Sequence, residues 1–309
     1  GATRDEMDFQ DDDDRTEVTR YDGADGVGIG SLARKLAFAL RFTEPNLVVS
    51  GEVGPETRIL YKRDVVDRAK TLAPFLKFDQ DPYPAIVEGR VMWILDAYTS
   101  TDMFPYAQRV NPRAVRSGDL RSSLNYVRNS VKVVIDAYDG APTFYIVDDD
   151  DPLAQSYRQQ FPQLFSDTPP PLEIAKHFRY PEDLFRIQTD MWGRYRINDP
   201  AEFYDAAGAW SIAQDPGNSI GLTAVESVID AAGNVISSSE VRVAPQYLLM
   251  RLPGAEDESF VLFRPFVPFS DDDSRKNLKG FMVVHNDPGR YGQIEVYEIR
   301  SSTPVDGPA

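Results

Sequence analysis

The chain predicts an α+β fold of mostly antiparallel β-hairpins and sheets with packed helices. Two five-residue words, Ile94-Leu95-Asp96-Ala97-Tyr98 and Val134-Ile135-Asp136-Ala137-Tyr138, each run apolar and β-forming into an Asp beside turn residues, with a fainter echo at Val228-Ile229-Asp230-Ala231-Ala232-Gly233. Helical spacing marks stretches near residues 31–42, 65–72 and 153–205. From residue 220 onward, β-rich runs alternate with linkers rich in Gly, Asp, Ser and Pro.

Taken in order, Ser31 reads as the N-cap of a helix over Leu32–Phe42. Leu32, Leu36, Ala39 and Leu40 keep helical spacing, Phe38 and Phe42 widen the apolar face, and Arg34, Lys35 and Arg41 fill the remainder. Such a face belongs in a core, or on a membrane surface as a basic amphipathic helix. The core is the simpler expectation. A short strand, Leu47–Ser50, and the turn Gly51–Pro55 follow. Val65–Leu72 reads as a second helix, begun after Asp64 and ended by Pro74.

Pro84–Val87, Glu88-Gly89 and Arg90–Tyr98 read as a hairpin. Asn125–Tyr138 and Thr143–Val147 read as another, joined through Asp139-Gly140, because Gly accepts the positive φ of a primed turn. In the helical stretch, Pro181 fits a first turn with Glu182 and Asp183 favouring the dipole. Leu184, Ile187, Met191 and Tyr195 form its stripe, joined by Phe185 and Trp192. The strands expected beyond it are Thr223–Ile229, Val235–Val243, Tyr247–Leu252, Phe260–Phe266, Phe281–His285 and Gln293–Ile299. The organisation expected is therefore a disordered acidic leader over 1–24, an α+β domain with the two Asp-Ala-Tyr hairpins over 25–165, a helical segment over 166–215 and a β-rich domain over 216–309.

The net charge of -16 argues against a nucleic-acid partner, which needs a basic surface. Nine acids against three bases in residues 1–24 supply much of that charge, in a stretch too polar to offset its ordering entropy. There is no cysteine, which removes disulfides, thiolate zinc sites and cysteine nucleophiles together. No apolar stretch approaches the roughly 20 residues that cross a bilayer, and no signal peptide is visible.

Chemistry-bearing motifs are few. Gly28-Ile29-Gly30-Ser31-Leu32-Ala33 has the spacing of a dinucleotide turn, but the acidic leader stands where a buried strand is required. The only two histidines, His177 and His285, exclude a histidine-rich metal site; each is a general-base candidate or a structural residue. Asp148, Asp149, Asp150 and Asp151, and the run Asp271–Asp273, are the candidates for Ca2+. Consecutive aspartates splay, so the competing reading is a solvated turn or a helix N-cap before Leu153. Asp96 and Asp136 make a catalytic pair only if the hairpins bring them together; turn-forming Asp explains both more simply. Tyrosines around the hairpins beside acidic turns suggest a sugar or peptide groove, with Asp96, Tyr98, Asp136, Tyr138, Tyr180 and Glu182 as its candidate residues.

Longer runs carry a family likeness. Tyr126 to Gly140, His177 to Phe185, Asp79 to Pro84, Arg34 to Ser50 and Ile59 to Asp64 resemble segments of the UPF0182 family, continued less tightly by Tyr247 to Gly254 and Val284 to Gly289. The resemblance covers most of residues 27–300. It implies an excised extracytoplasmic region of a bacterial integral membrane protein, common in actinobacteria, whose membrane anchor lies outside this chain. It supplies no catalytic residue and no cofactor. More loosely, the Asp-Ala-Tyr-Asp-Gly hairpin is similar to hairpins of PepSY-type modules, which are associated with protease regulation or envelope binding.

The function expected is thus a domain at the extracytoplasmic face of a cell membrane. It would bind an envelope component, a peptide or a partner protein, without catalysis. The alternative is an envelope hydrolase or transferase using paired carboxylates or a divalent cation.

Overall fold

The computed structural model describes residues 6–10, 16–19, 23, 26–51, 53–110, 115, 119–120, 123–215, 226–229, 235–239, 242–270, 275–300 and 303–308. The echo's Asp230 to Gly233 and the run Asp271–Asp273 lie outside them.

Within the acidic leader, β1 (Glu6–Gln10) and β2 (Thr16–Thr19) pair antiparallel. Next, β3 (Val27–Gly28) pairs with β4 (Arg58–Ile59) and brackets α1 (Leu32–Phe42) and α2 (Asn46–Val49). Ser31 caps α1 through Arg34 N. The strand expected over Leu47–Ser50 is instead the short helix α2: Pro45 sets a helical φ, and Ser50 N bonds back to Asn46 O at 2.9 Å. The core expectation for α1 also needs correcting. Phe38 and Phe42 meet Tyr61 edge-on, with centroids 5.6 and 6.4 Å away, yet Leu32, Leu36 and Leu40 are 64, 52 and 85% exposed. The helix has two apolar sides, and one of them is bare.

After α3 (Val65–Leu72), capped by the Asp64 carboxylate on Asp67 N at 2.8 Å, comes the first sheet. Its strands are β5 (Lys77–Phe78), β6 (Tyr83–Val87), β7 (Arg90–Thr101), β8 (Tyr126–Asp136) and β9 (Pro142–Ile146). β5 and β6 share one edge of the long β7, β8 lies along its other edge, and β9 is outermost; every pairing is antiparallel. The Glu88-Gly89 turn has φ of 50° and 79°, the two positive values of a type I′ turn. Asp139-Gly140 is not its twin. It belongs to a longer loop in which Asp136 Oδ1 accepts from Tyr138 N and Asp139 N at 2.8 and 3.0 Å. Nor does Asp96 end a hairpin: the word Ile94–Tyr98 lies inside β7, and crosses the second word at Ile94↔Val134.

Alternation along β7 sorts its side chains between two cores. Leu95 and Ala97 pack with Ala69 of α3 and with Tyr157 of α4 (Pro152–Gln160). Tyr98, on the opposite face, packs with α6 (Glu182–Tyr195) and the second sheet. Between α4 and the second sheet the chain also forms α5 (Leu172–Ala175) and, after α6, α7 (Pro200–Tyr204). α6 buries Leu184, Phe185 and Ile187, as its stripe predicts. Trp192 and Tyr195 are exposed instead, because Gly193 is the contact position: a Cβ there would lie 2.3 Å from the carbonyl oxygen of Trp210.

The second sheet repeats the plan of the first. Its strands are β10 (Trp210–Ile212), β13 (Gln246–Arg251), β14 (Glu258–Pro268), β15 (Gly280–His285) and β16 (Ile294–Glu298), while β11 (Glu226–Ile229) and β12 (Val235–Ser239) form a separate ribbon. β10 and β13 share one edge of the long β14; β15 and β16 follow on the other side. Leu262 and Phe266 of β14, Met282 and Val284 of β15, Tyr98 and the buried face of α6 make one core. Among the described residues every pairing between the strands of this α+β architecture is therefore antiparallel, with α6 joining two sheets of the same topology.

Candidate functional site

Asp96 and Lys132 stand opposite each other in the β7–β8 register, both buried, and form an ion pair. Lys132 Nζ also donates to Arg179 O at 2.7 Å and lies 5.4 and 5.3 Å from the rings of Phe178 and Tyr291. Burial pushes the Asp96 carboxyl up, against the pull of Lys132. The Tyr98 hydroxyl donates to Asp79 Oδ2 at 2.5 Å; burial, then the charge of Asp79, push it well above the usual phenol range. Tyr180 completes the cluster. Its N–H donates to Asn286 Oδ1 at 2.6 Å, its hydroxyl bonds Gln188, and burial pushes it up to about 12. A charged pair ringed by phenols that resist ionisation is a sealed structural joint, with no open face for a substrate.

The other candidates lie elsewhere. Asp136 and Tyr138 belong to the loop after β8, where Arg90 Nε meets Asp136 Oδ2 at 2.7 Å. Partial burial works to raise the Asp136 carboxyl, but Arg90 and the two loop N–H groups outweigh it and hold it below the usual range. In the register, Asp96 faces Lys132 and Asp136 faces Met92, so the two acids are separated by four residues of β7, about 13 Å. Glu182 pairs with Arg186 at 3.1 Å in the first turn of α6. The structure thus gathers Asp96, Tyr98 and Tyr180 and leaves Asp136 and Tyr138 apart.

The four aspartates before α4 serve local structure. Asp151, fully buried, accepts from Leu153 N at 3.0 Å, the Tyr126 hydroxyl at 2.7 Å, Ser130 Oγ at 2.5 Å and Thr99 Oγ1. Burial opposes these bonds, yet together they hold its carboxyl below the usual range. Asp148 pairs with Arg128 at 2.8 Å and accepts from Asp150 N; Asp149 accepts from Gln155. Among the described residues no group of three or more His, Asp or Glu is arranged to hold a metal ion.

His285 is fully buried, its ring nitrogens 3.8 and 3.5 Å from Asp287 and Glu295 without a hydrogen bond. Sequence reasoning overlooked a further place. Thr189, Asp190 and Arg194 of α6, Trp210 of β10, Arg242 and Phe269 line a cavity of about 320 Å³. Its walls come from segments far apart in sequence, and its one local trace is the i, i+4 spacing of Asp190 and Arg194.

The model of the uncharacterised protein family UPF0182 matches residues 1–309. The chain belongs to that family. A UPF0182 protein of Methanospirillum hungatei is 38% identical over 297 residues, which is 96% of this chain and 30% of the relative. Those of Trichodesmium erythraeum and Micrococcus luteus are 37 and 36% identical, again over 30% of the relative. The chain therefore spans about 30% of the length of these UPF0182 relatives. They come from varied taxa, wider than the actinobacteria that the resemblance emphasised. No solved structure matches. No helix among the described residues is long and apolar enough to cross a membrane.

Proposed function

We propose that this UPF0182 chain is a non-catalytic binding domain of a longer, membrane-anchored protein, held at the extracytoplasmic face, where it engages a partner protein, a peptide or another envelope component. The bare side of α1 carries the reading. Leu32, Leu36 and Leu40 form an i, i+4, i+8 row on a helix with no buried residue. Covering each leucine is worth on the order of 1.5–3 kcal/mol. Contiguous apolar surface of this kind marks an interaction site. With about 70% of each relative lying beyond the matched segment, there is ample protein to supply the cover. The carboxylate-pair alternative has no comparable support, since Asp96 and Asp136 each hold a cationic partner and do not share a site.

The chain has no native cysteine, so single cysteines report cleanly. In the full-length protein, Leu36→Cys is expected to be protected from a membrane-impermeant maleimide, while a cysteine at the fully exposed Tyr106 (Tyr106→Cys) is labelled on intact cells. Labelling at position 36 as fast as at 106 would remove the docking face. Labelling at 106 only after lysis would remove the extracytoplasmic location.

A further inference from the structure

Charge as well as the bare leucine row sets α1 apart. In a chain of net charge -16 this helix holds three bases, Arg34, Lys35 and Arg41, and no acid. Arg34 Nη1 donates to Gly28 O at 3.1 Å and Lys35 Nζ to Val53 O at 2.5 Å, while Arg41 makes no side-chain hydrogen bond with the described residues. None of the three is in an ion pair with the described residues.

These bases have defined places around the helix. At about 100° per residue, the row Leu32, Leu36 and Leu40 is bordered by Ala33 and Ala37, and beyond them by Arg34 and Arg41. Lys35 lies on the other side, where Phe38 and Phe42 meet Tyr61. Leucine thus gives way to alanine and then to guanidinium. That is the cross-section of a helix lying in a bilayer interface, with its leucines at the acyl boundary and its arginines at the phosphates.

The helix is also formed beforehand. Ser31 caps its start, and it ends at Thr43, whose φ is 56°, with Glu44 N bonded to Ala39 O at 2.9 Å. Docking therefore does not first have to order the backbone. Eleven residues span roughly 16 Å, enough to lie in an interface and too little to cross a hydrocarbon core of about 30 Å.

We infer that α1 docks on an anionic lipid surface, with the leucine row inserted and Arg34 and Arg41 on lipid phosphates. This rests on the docking face proposed above and names what covers it. A net charge of -16 repels the chain from an anionic surface, and a helix with bases and no acid is an element that can be turned toward one.

The test is flotation of the 309-residue chain with vesicles of phosphatidylcholine mixed equally with phosphatidylglycerol, and with vesicles of phosphatidylcholine alone. The chain is expected to float with the anionic vesicles. Leu36→Gln combined with Leu40→Gln, both at exposed positions, is expected to weaken partitioning at least roughly tenfold and to leave the melting temperature without vesicles unchanged. Arg41→Gln is expected to weaken it about fivefold on anionic vesicles and little on neutral ones. A chain that stays in the lipid-free fraction, or flotation indifferent to the leucine substitutions, overturns the inference. A dimer that the leucine substitutions dissolve gives the face to a second copy and overturns it too. So does maleimide protection of Leu36→Cys in the full-length protein without flotation of this chain, an outcome that leaves the docking face itself standing.

Discussion

The two sheets share one topology and bury opposite chemistry at the same place. In each, a short strand and a hairpin strand share an edge of a long strand, closing at Val87↔Arg90 in one and Arg251↔Glu258 in the other. Six residues past those closures stand Asp96 in β7 and Arg264 in β14. The residue across from Asp96 is Lys132; the residue across from Arg264 is Met282. The first sheet therefore satisfies its buried charge within itself, and the second turns its charge toward α6 and the cavity. A position that holds an ion pair across two strands in one copy of the plan bonds a helix hydroxyl in the other.

The sharpest way to break this comparison is to give the first sheet the second sheet's residue. Lys132→Met leaves Asp96 buried without its partner and is expected to cost about 3–5 kcal/mol in denaturant unfolding. Adding Asp96→Leu should restore most of that loss, since an ion pair replaced whole by apolar groups is often neutral. If the double variant is no more stable than the single one, the pair is not the closed joint described.

The sheets also hold their helices differently. α6 leans on β10 through Gly193, so Gly193→Ala, which drives a methyl group at the Trp210 carbonyl, is expected to cost about 1–3 kcal/mol and lower the melting temperature. A variant as stable as the parent would show that the contact can widen freely. The first sheet ties α4 down with the Asp151 carboxylate, which reaches Thr99 of β7 and both Tyr126 and Ser130 of β8.

Asp151→Asn is expected to lose about 1–2 kcal/mol at pH 7. Because the folded carboxyl is held below its ordinary value, its stabilisation is present above about pH 4 and fades as the pH falls through the lower folded value. The variant should lose less stability than the parent as the pH falls below about 4. Parallel acid-unfolding curves would contradict that assignment.

Local chemistry was legible in the sequence. Ser31 and Asp64 cap where expected, and Asp151 takes the N-cap alternative offered for its run, because a cap needs only residues two or three apart. The longer strands of both sheets were placed to within a few residues by apolar runs and turns, but the short β5 and β10 were missed, and β10 lies inside the segment expected to be helical. Leu47–Ser50 misled because its β-branched pair looks strand-like, whereas Pro45 and the backbone bonds back to the carbonyls of Pro45 and Asn46 decide for helix. The roles of Asp96 and Arg264 were illegible, since each depends on residues tens of positions away. The two Asp-Ala-Tyr words proved a misleading repeat: they cross as neighbours in one sheet, while the real repeat, sheet against sheet, shares topology and no comparable word.

The core between the sheets has a consequence for how this chain comes together. It joins Tyr98 of the first sheet to Val284 of the second through α6. Neither sheet can bury its inner face until most of the polypeptide has emerged and looped back. Bringing the two sheets together over α6 closes a long loop of chain, a non-local step of the kind that slows folding. Loss of either half would uncover the core that the other shares with it, so the two sheets are expected to melt together.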